Sequence, residues 1–154
     1  MDLVLWRHAE AEAGEPDEGR RLTAKGEKQA RRAAEWLHAH LPDSARLLVS
    51  PALRAQQTAQ ALAELAPRKF KTLDALGPGA TADEVLRAVD WPNARTTVVV
   101  VGHQPTLGHV ASLLLAGREQ AWSIKKSGIW WLQARERDGE MQVALRAVIN
   151  PDLL

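Results

Sequence analysis

The chain has 154 residues, with 20 basic against 19 acidic side chains and a formal net charge of +1; that near-balance argues against a nucleic-acid binder held by bulk positive charge. Hydrophobic residues make up 45% and charged residues 25%, the proportions of one globular domain, residues 1–154, large enough to bury a full core. The absence of cysteine removes disulfides, thiolate zinc sites and a cysteine nucleophile, and with no cationic leader and no apolar run near the roughly 20 residues of a membrane span the expected setting is the cytoplasm, with no membrane partner.

In chain order, Leu3–Trp6 of "LVLWRHAEAE" is four consecutive apolar residues and predicts a short strand buried on both faces. Residues 13–22, "AGEPDEGRRL", are loop by composition. Thr23 is placed to N-cap a helix whose apolar face carries Ala30, Ala33, Ala34, Leu37 and Leu41 before Pro42-Asp43 ends it. Arg46–Val49 predicts a second strand. Ser50-Pro51 has the form of an N-cap with proline at the first helical position, leading a helix whose buried face is marked by Thr58, Ala61, Leu62 and Leu65. A weak strand is expected over Phe70–Leu73.

Thr81-Ala82-Asp83-Glu84 has the form of a capping box, with Val85, Leu86 and Val89 continuing the helix. Thr97–Val101 is five β-branched residues without a charge, the strongest strand signal in the chain. "GHQPTLGH" follows it, and a helix from Pro105 would put Leu107, Val110, Ala111 and Leu114 on one face. Ile129–Arg135 and Met141–Ile149 flank Asp138-Gly139, a hairpin turn signal; alternation from Met141 through Val143, Leu145, Ala147 and Ile149 predicts a half-exposed antiparallel strand. Strands alternating with helices imply an α/β three-layer sandwich with a mostly parallel central sheet and a C-terminal antiparallel hairpin.

In such a sheet ligands bind beyond the carboxyl ends of the strands. Three strands end there in conspicuous polar groups: Arg7-His8, Ser50 leading to Arg54, and Gly102-His103. If the three are neighbours, two arginines and two histidines share one crevice. Arg54 on a first helical turn is electrostatically unfavourable unless an anion answers it. Guanidinium forks bind phosphate oxygens bidentately, and a neutral imidazole can accept a phosphoryl group. Nearby arginines lower its pKa, and a second histidine can donate to the equatorial oxygens. The chemistry so indicated is phosphoryl transfer through a phosphohistidine, with no metal or other cofactor. Taken singly, Arg7 could instead cap a carbonyl or pair with Glu10. His38, His40 and His109 read as surface or structural groups, Lys125-Lys126 as a solvated turn, and Trp6, Trp130 and Trp131 as packing.

Four segments resemble the histidine phosphatase (phosphoglycerate mutase-like) superfamily. "LWRHAEA" is similar to its R-H-G signature, "DEGRRLTAKGEKQA" to its D-x-x-R-P-L-T-x-x-G-x-x-Q-A segment, "LVSPALRAQQTA" to S-P-x-x-R-A-x-Q-T, and "VVVVGHQPTLG" to the late G-H-x-P segment. The short chain, with no large insertion after the second arginine motif, most resembles the SixA-type phosphohistidine phosphatases. The resemblance implies a phosphoglycerate mutase-like fold and makes His8 the nucleophile, with Arg7 and Arg54 clamping the phosphate and His103 opposite. It adds Arg20 and the backbone amide of Gln104 as further phosphate contacts, and it gives Glu10 an arginine as partner.

Departures are Ala9 for the commonest glycine, Arg21 for the usual proline, and Gln104 where larger members carry an acid. Asp83 and Glu84 are then the mid-chain candidates for proton donor, although a capping box accounts for them without catalysis. The expected function is a metal-independent phosphatase acting on phosphohistidine of a signalling or phosphotransfer protein. The alternatives are a small-molecule phosphomonoesterase of the same superfamily, a non-catalytic phosphate-binding module, and zinc held by His8 and His103.

Overall fold

A computed structural model describes every residue except Ala66. Six strands form one sheet in the order β3-β2-β4-β1-β5-β6. They are β1 (Asp2–Arg7), β2 (Arg46–Val49), β3 (Phe70–Thr72), β4 (Val98–Gly102), β5 (Ile129–Arg137) and β6 (Glu140–Ile149). The first four run parallel, and β5 and β6 join antiparallel to β1 and to each other. This is the expected three-layer α/β sandwich: α1 (Ala24–His40) and α2 (Leu53–Ala63) cover one face, α3 (Ala82–Ala88) and α4 (Thr106–Ala116) the other.

The continuous apolar runs follow from this layering. Val4 and Trp6 enter the core beneath α1 and α2, whereas Leu3 and Leu5 enter the core beneath α3 and α4, as the two-residue period of a strand requires. All four are fully buried, and each apolar side chain so buried is worth about 1.5–3 kcal/mol. Val98–Val101 divide between the same two cores. No helix is long and apolar enough to cross a membrane among the described residues.

Thr23 caps α1 by accepting a 2.9 Å bond from the Gly26 amide. Ala30, Ala33, Ala34 and Leu37 form the buried stripe, and the small Ala33 and Ala34 let α1 pack against Ala55 and Ala59 of α2. The Thr81 capping box is formed, with Glu84 closing it. At the hairpin, Asp138 and Gly139 take φ of 52° and 79°, the left-handed pair that a two-residue turn between twisted strands requires.

Three local expectations are corrected. Helix α2 starts at Leu53 with Ala52 as N-cap, not at Ser50-Pro51, because the Ser50 hydroxyl is engaged with His103 at 2.7 Å. Leu65 is 40% exposed rather than buried, since α2 ends at Ala63 and Leu65 has left its face. Strand β6 does not keep one alternating face. Its register with β5 shifts at Trp131/Leu132, where Trp131 pairs with Ala147 and Leu132 with Leu145. The extra residue sends Ala147 and Ile149 to the α1/α2 side while Val143 packs on the other.

Gly26 and Gly108 admit no side chain, and Gly26 bears on the active site. A Cβ there would overlap the Glu10 carbonyl oxygen, two residues beyond His8. Gly26→Ala is expected to cost about 1–3 kcal/mol through overpacking, lowering Tm by roughly 2–10 °C for a chain of this size. A thermal melt within 1 °C (about the scatter of the method) of wild type would contradict this.

Candidate active site

The crevice lies at the carboxyl ends of three adjacent strands. Register pairs Arg7 of β1 with Gly102 of β4, and Val49 of β2 with Val101 of β4. Arg7-His8, Ser50 and His103 therefore emerge side by side, and the first turn of α2 brings Arg54 over them. The His8 and His103 rings lie 5.1 Å apart between centroids, tilted by 53°. His8, Arg54 and His103 are all buried.

The tautomer of His8 follows from its partner. Nδ1 lies 2.7 Å from the Ala9 carbonyl oxygen, and because a carbonyl only accepts, Nδ1 carries the proton and Nε2 presents a lone pair. His8 is anchored by its own amide, which donates to the Gly102 carbonyl at 3.0 Å. The Ala9 amide donates to Thr58 Oγ1 at 3.0 Å, and that hydroxyl donates to the Arg54 carbonyl at 2.7 Å. One threonine thus ties the histidine loop to the arginine helix.

On the far side, Ser50 Oγ accepts from the Ala52 amide at 3.2 Å and lies 2.7 Å from His103 Nε2. The serine proton is best satisfied by donating to that nitrogen, which leaves His103 Nδ1 as the protonated atom. His103 Nδ1, Arg7 Nε and Arg54 Nε are buried without a hydrogen-bond partner. Donors left unsatisfied in one cluster are uncommon in a folded protein and ask for an explanation.

Electrostatics keep both rings neutral. Burial first, then the Arg54, Arg7 and Arg20 guanidiniums, pushes the His8 pKa down to about 4. Burial, His8, Arg54 and Arg7 push His103 down to about 3, against a smaller opposing pull from Asp17. Between those values and the ordinary 6.5, the unfolded chain binds protons that the folded one refuses, so stability rises with pH through this window and is level below it. Going from pH 6.5 to pH 5 is expected to remove roughly 3 kcal/mol from the two histidines together, read as a fall in the denaturant midpoint. A midpoint independent of pH over that range would exclude the neutral, buried pair.

Around this centre the remaining expected residues take distinct places. Arg7 Nη1 donates to the Ile124 carbonyl at 2.9 Å, so it does cap a carbonyl, and Glu10 is not its partner. Glu10 instead accepts from Thr23 Oγ1 at 2.8 Å and pairs with Lys126 at 3.6 Å, because the helix cap draws its carboxylate toward α1. Arg20 donates to the Glu12 carbonyl at 2.6 Å and to Asp17 Oδ1 at 3.1 Å. Gln104 spends its side chain as a strut, donating to the Trp122 carbonyl and accepting from the Gly108 amide, which leaves its backbone amide for the role expected of it. Glu84 is consumed by the capping box, and Asp83 lines a surface depression with Arg87, Asp90 and Trp91; neither bonds to the histidines or arginines. Among the described residues no three His, Cys, Asp or Glu side chains converge as a metal site would need.

Residue-by-residue reading missed Asp17 and Thr58, and placed Ser50 at the crevice without its bond to His103. Asp17, in a 3₁₀ turn over Asp17–Gly19, offers its carboxylate to Arg20 and, at 3.1 Å, to Arg54 Nη2, while its carbonyl accepts from Arg54 Nη1 at 2.8 Å. Arg20 and then Arg54 hold its carboxyl below the usual range. Ser50 was assigned to a helix cap, and Thr58 to helix packing alone. The signal for Asp17 was its spacing of three from Arg20; nothing in the sequence distinguished Thr58 from an ordinary buried threonine.

Comparison with known proteins gives the family and the fold. Residues 3–77 match the family model described as histidine phosphatase superfamily (branch 1). The chain is 32% identical over 130 residues to a phosphohistidine phosphatase SixA homolog of Haemophilus influenzae, covering 77% of this chain and 79% of that one. It is 30% identical over 123 residues to phosphohistidine phosphatase SixA of Escherichia coli, covering 76% of each. Among solved structures, the protein histidine phosphatase SixA complexed with tungstate superposes with a TM-score of 0.84 over 99% of both chains at 26% identity.

Proposed function

Given that the chain belongs to the histidine phosphatase superfamily and is a phosphatase of SixA type, we propose that its substrate is phosphohistidine on a phosphotransfer or signalling protein in the cytoplasm, hydrolysed through a covalent intermediate on His8. The observation that carries the reading is the state of His8: a neutral ring whose Nδ1–H is spent on Ala9, leaving Nε2 as nucleophile beneath two guanidiniums. The Nε2 lone pair attacks phosphorus in line as the P–N bond to the substrate imidazole breaks; the leaving nitrogen keeps the electron pair, and because the other ring nitrogen already carries a proton, a neutral imidazole departs. Arg7, Arg54 and His103 Nδ1–H would answer the equatorial oxygens. Water then attacks phospho-His8, releasing phosphate and restoring the neutral ring. Tungstate, held by the SixA of the solved complex, is a tetrahedral oxyanion of the kind such a pocket suits.

Substrate class follows from proton supply. Asp17 is the carboxylate at the arginines, and they hold it ionised, so it is a poor acid. Gln104 has no acidic proton, and Asp83 and Glu84 do not bond to the site. A site without a strong acid favours leaving groups that need little help, and an imidazole already protonated at nitrogen is one. Alkoxides need a donor. Turnover of a phosphohistidine peptide, an aryl phosphate and an alkyl phosphate should therefore fall in that order. An alkyl phosphate hydrolysed as fast as the phosphohistidine peptide would overturn the reading in favour of a small-molecule phosphomonoesterase.

A further inference from the structure

Beside the strand end that carries Arg7 and His8 lies a groove of about 540 Å³. Lys25, Lys28 and Arg32 of α1 line it together with Lys125 and Lys126, Asp152 is its acid, and Arg7 itself belongs to the lining. Lys25, Lys28 and Arg32 fall at i, i+3 and i+7, a stripe about 10 Å long on one helix face. Like charges at these spacings repel, and Lys25 lies in the first turn of α1, the end where cations are least favoured. A chain of net charge +1 does not gather such a cluster from composition. Nothing in α1 itself answers it, and an anionic occupant does.

The groove is fixed relative to the active site. Ile124 and Gly128 accept from the Arg7 side chain and amide, and the Ser127 amide donates to the His8 carbonyl at 3.1 Å. The segment bearing Lys125 and Lys126 is thus pinned on both sides to the catalytic pair, and whatever the groove holds is registered against His8 Nε2. Lys126 pairs with Glu10, whose carboxylate also feels the charge of Lys25; the side chains of Lys28, Arg32 and Lys125 are in no ion pair among the described residues. Lysines on exposed, flexible stems are hydrated point charges without the planar fork that fits one phosphate. Their number and spread suit several carboxylates.

Resting on the phosphoprotein reading above, we propose that this groove docks an Asp/Glu-rich segment of the protein that carries the phosphohistidine. The test compares wild type with Lys25→Glu/Lys28→Glu/Lys125→Glu, all exposed positions. Two phosphohistidine peptides, one with acidic and one with Lys-rich flanks, are assayed beside p-nitrophenyl phosphate, and binding of the unphosphorylated acidic peptide is followed by fluorescence anisotropy. Wild type should bind the acidic peptide with an affinity that weakens with salt, and the variant should lose about tenfold or more in both that binding and kcat/KM for the acidic substrate. Turnover of p-nitrophenyl phosphate should stay within about twofold, because the three lysines lie outside the phosphate pocket. Equal binding of the acidic peptide by both proteins overturns the docking inference whatever the turnover. Salt-sensitive binding lost in the variant, with the aryl phosphate hydrolysed and neither phosphohistidine peptide touched, overturns the phosphohistidine reading and leaves the groove an acidic-peptide site.

Discussion

His8→Ala is expected to lower kcat by about 10⁴-fold or more, because in the proposed mechanism it removes the atom to which phosphorus is transferred. Wild type quenched during turnover of ³²P-labelled substrate should carry acid-labile label, and the variant none. Folding should survive, since the neighbouring contacts of His8 run through backbone: its amide to Gly102, the Ala9 amide to Thr58, and its carbonyl to Ser127. The same substitution removes a ring whose pKa is pushed down to about 4. The variant should therefore lose less stability than wild type between pH 6.5 and 5, a readout independent of catalysis. Near-normal turnover in His8→Ala would sink the covalent mechanism.

Arg54→Ala is expected to lower kcat/KM by roughly 10²–10⁴-fold, the equivalent of two charge-assisted hydrogen bonds at about 1.5–3 kcal/mol each. Arg54→Lys keeps the charge but not the fork, so it should fall between. Structural damage is expected to be small without ligand. Asp17, at the surface, keeps Arg20 as partner when Arg54 goes, and the change relieves a cation in the first turn of α2. Stability in the absence of anion should stay within about 1 kcal/mol of wild type. Addition of tungstate or phosphate should raise Tm of wild type and not of Arg54→Ala, by linkage of binding to folding. A full anion-induced shift in the variant, with normal kcat/KM, would remove Arg54 from the phosphate site.

These expectations rest on residues that were legible to different degrees. Arg7, His8, Arg54 and His103 could be named because each follows a strand end or opens a helix, places where polar side chains at the edge of a buried sheet signal a ligand. Glu10 shows the limit. Arg7, three positions before it, is the nearest cation in sequence, yet the Glu10 carboxylate is drawn away by Thr23 and Lys126, a choice made by how α1 docks. Lys125-Lys126 shows it again. The pair is exposed and lies at a turn as expected, but its proximity to the α1 stripe exists only after the chain has closed on itself.

What the sequence by itself determined is local and periodic. The apolar runs specify strands buried on both faces, Thr23 and Thr81 start their helices, Asp138-Gly139 closes the hairpin, and four motifs in order carry the family. Hydrophobic periodicity and capping act between residues a few positions apart, so they can be read in one dimension. Only the tertiary structure decided that β2, β4 and β1 lie adjacent, that β6 shifts register and changes its inward face, and that Ser50 serves His103 rather than a helix. It also decided which His8 nitrogen is free. The strand order and the Ser50–His103 contact join residues 52 to 95 positions apart, the β6 shift depends on how the hairpin twists onto the sheet, and the His8 tautomer on which of several competing hydrogen bonds remains once burial has excluded water.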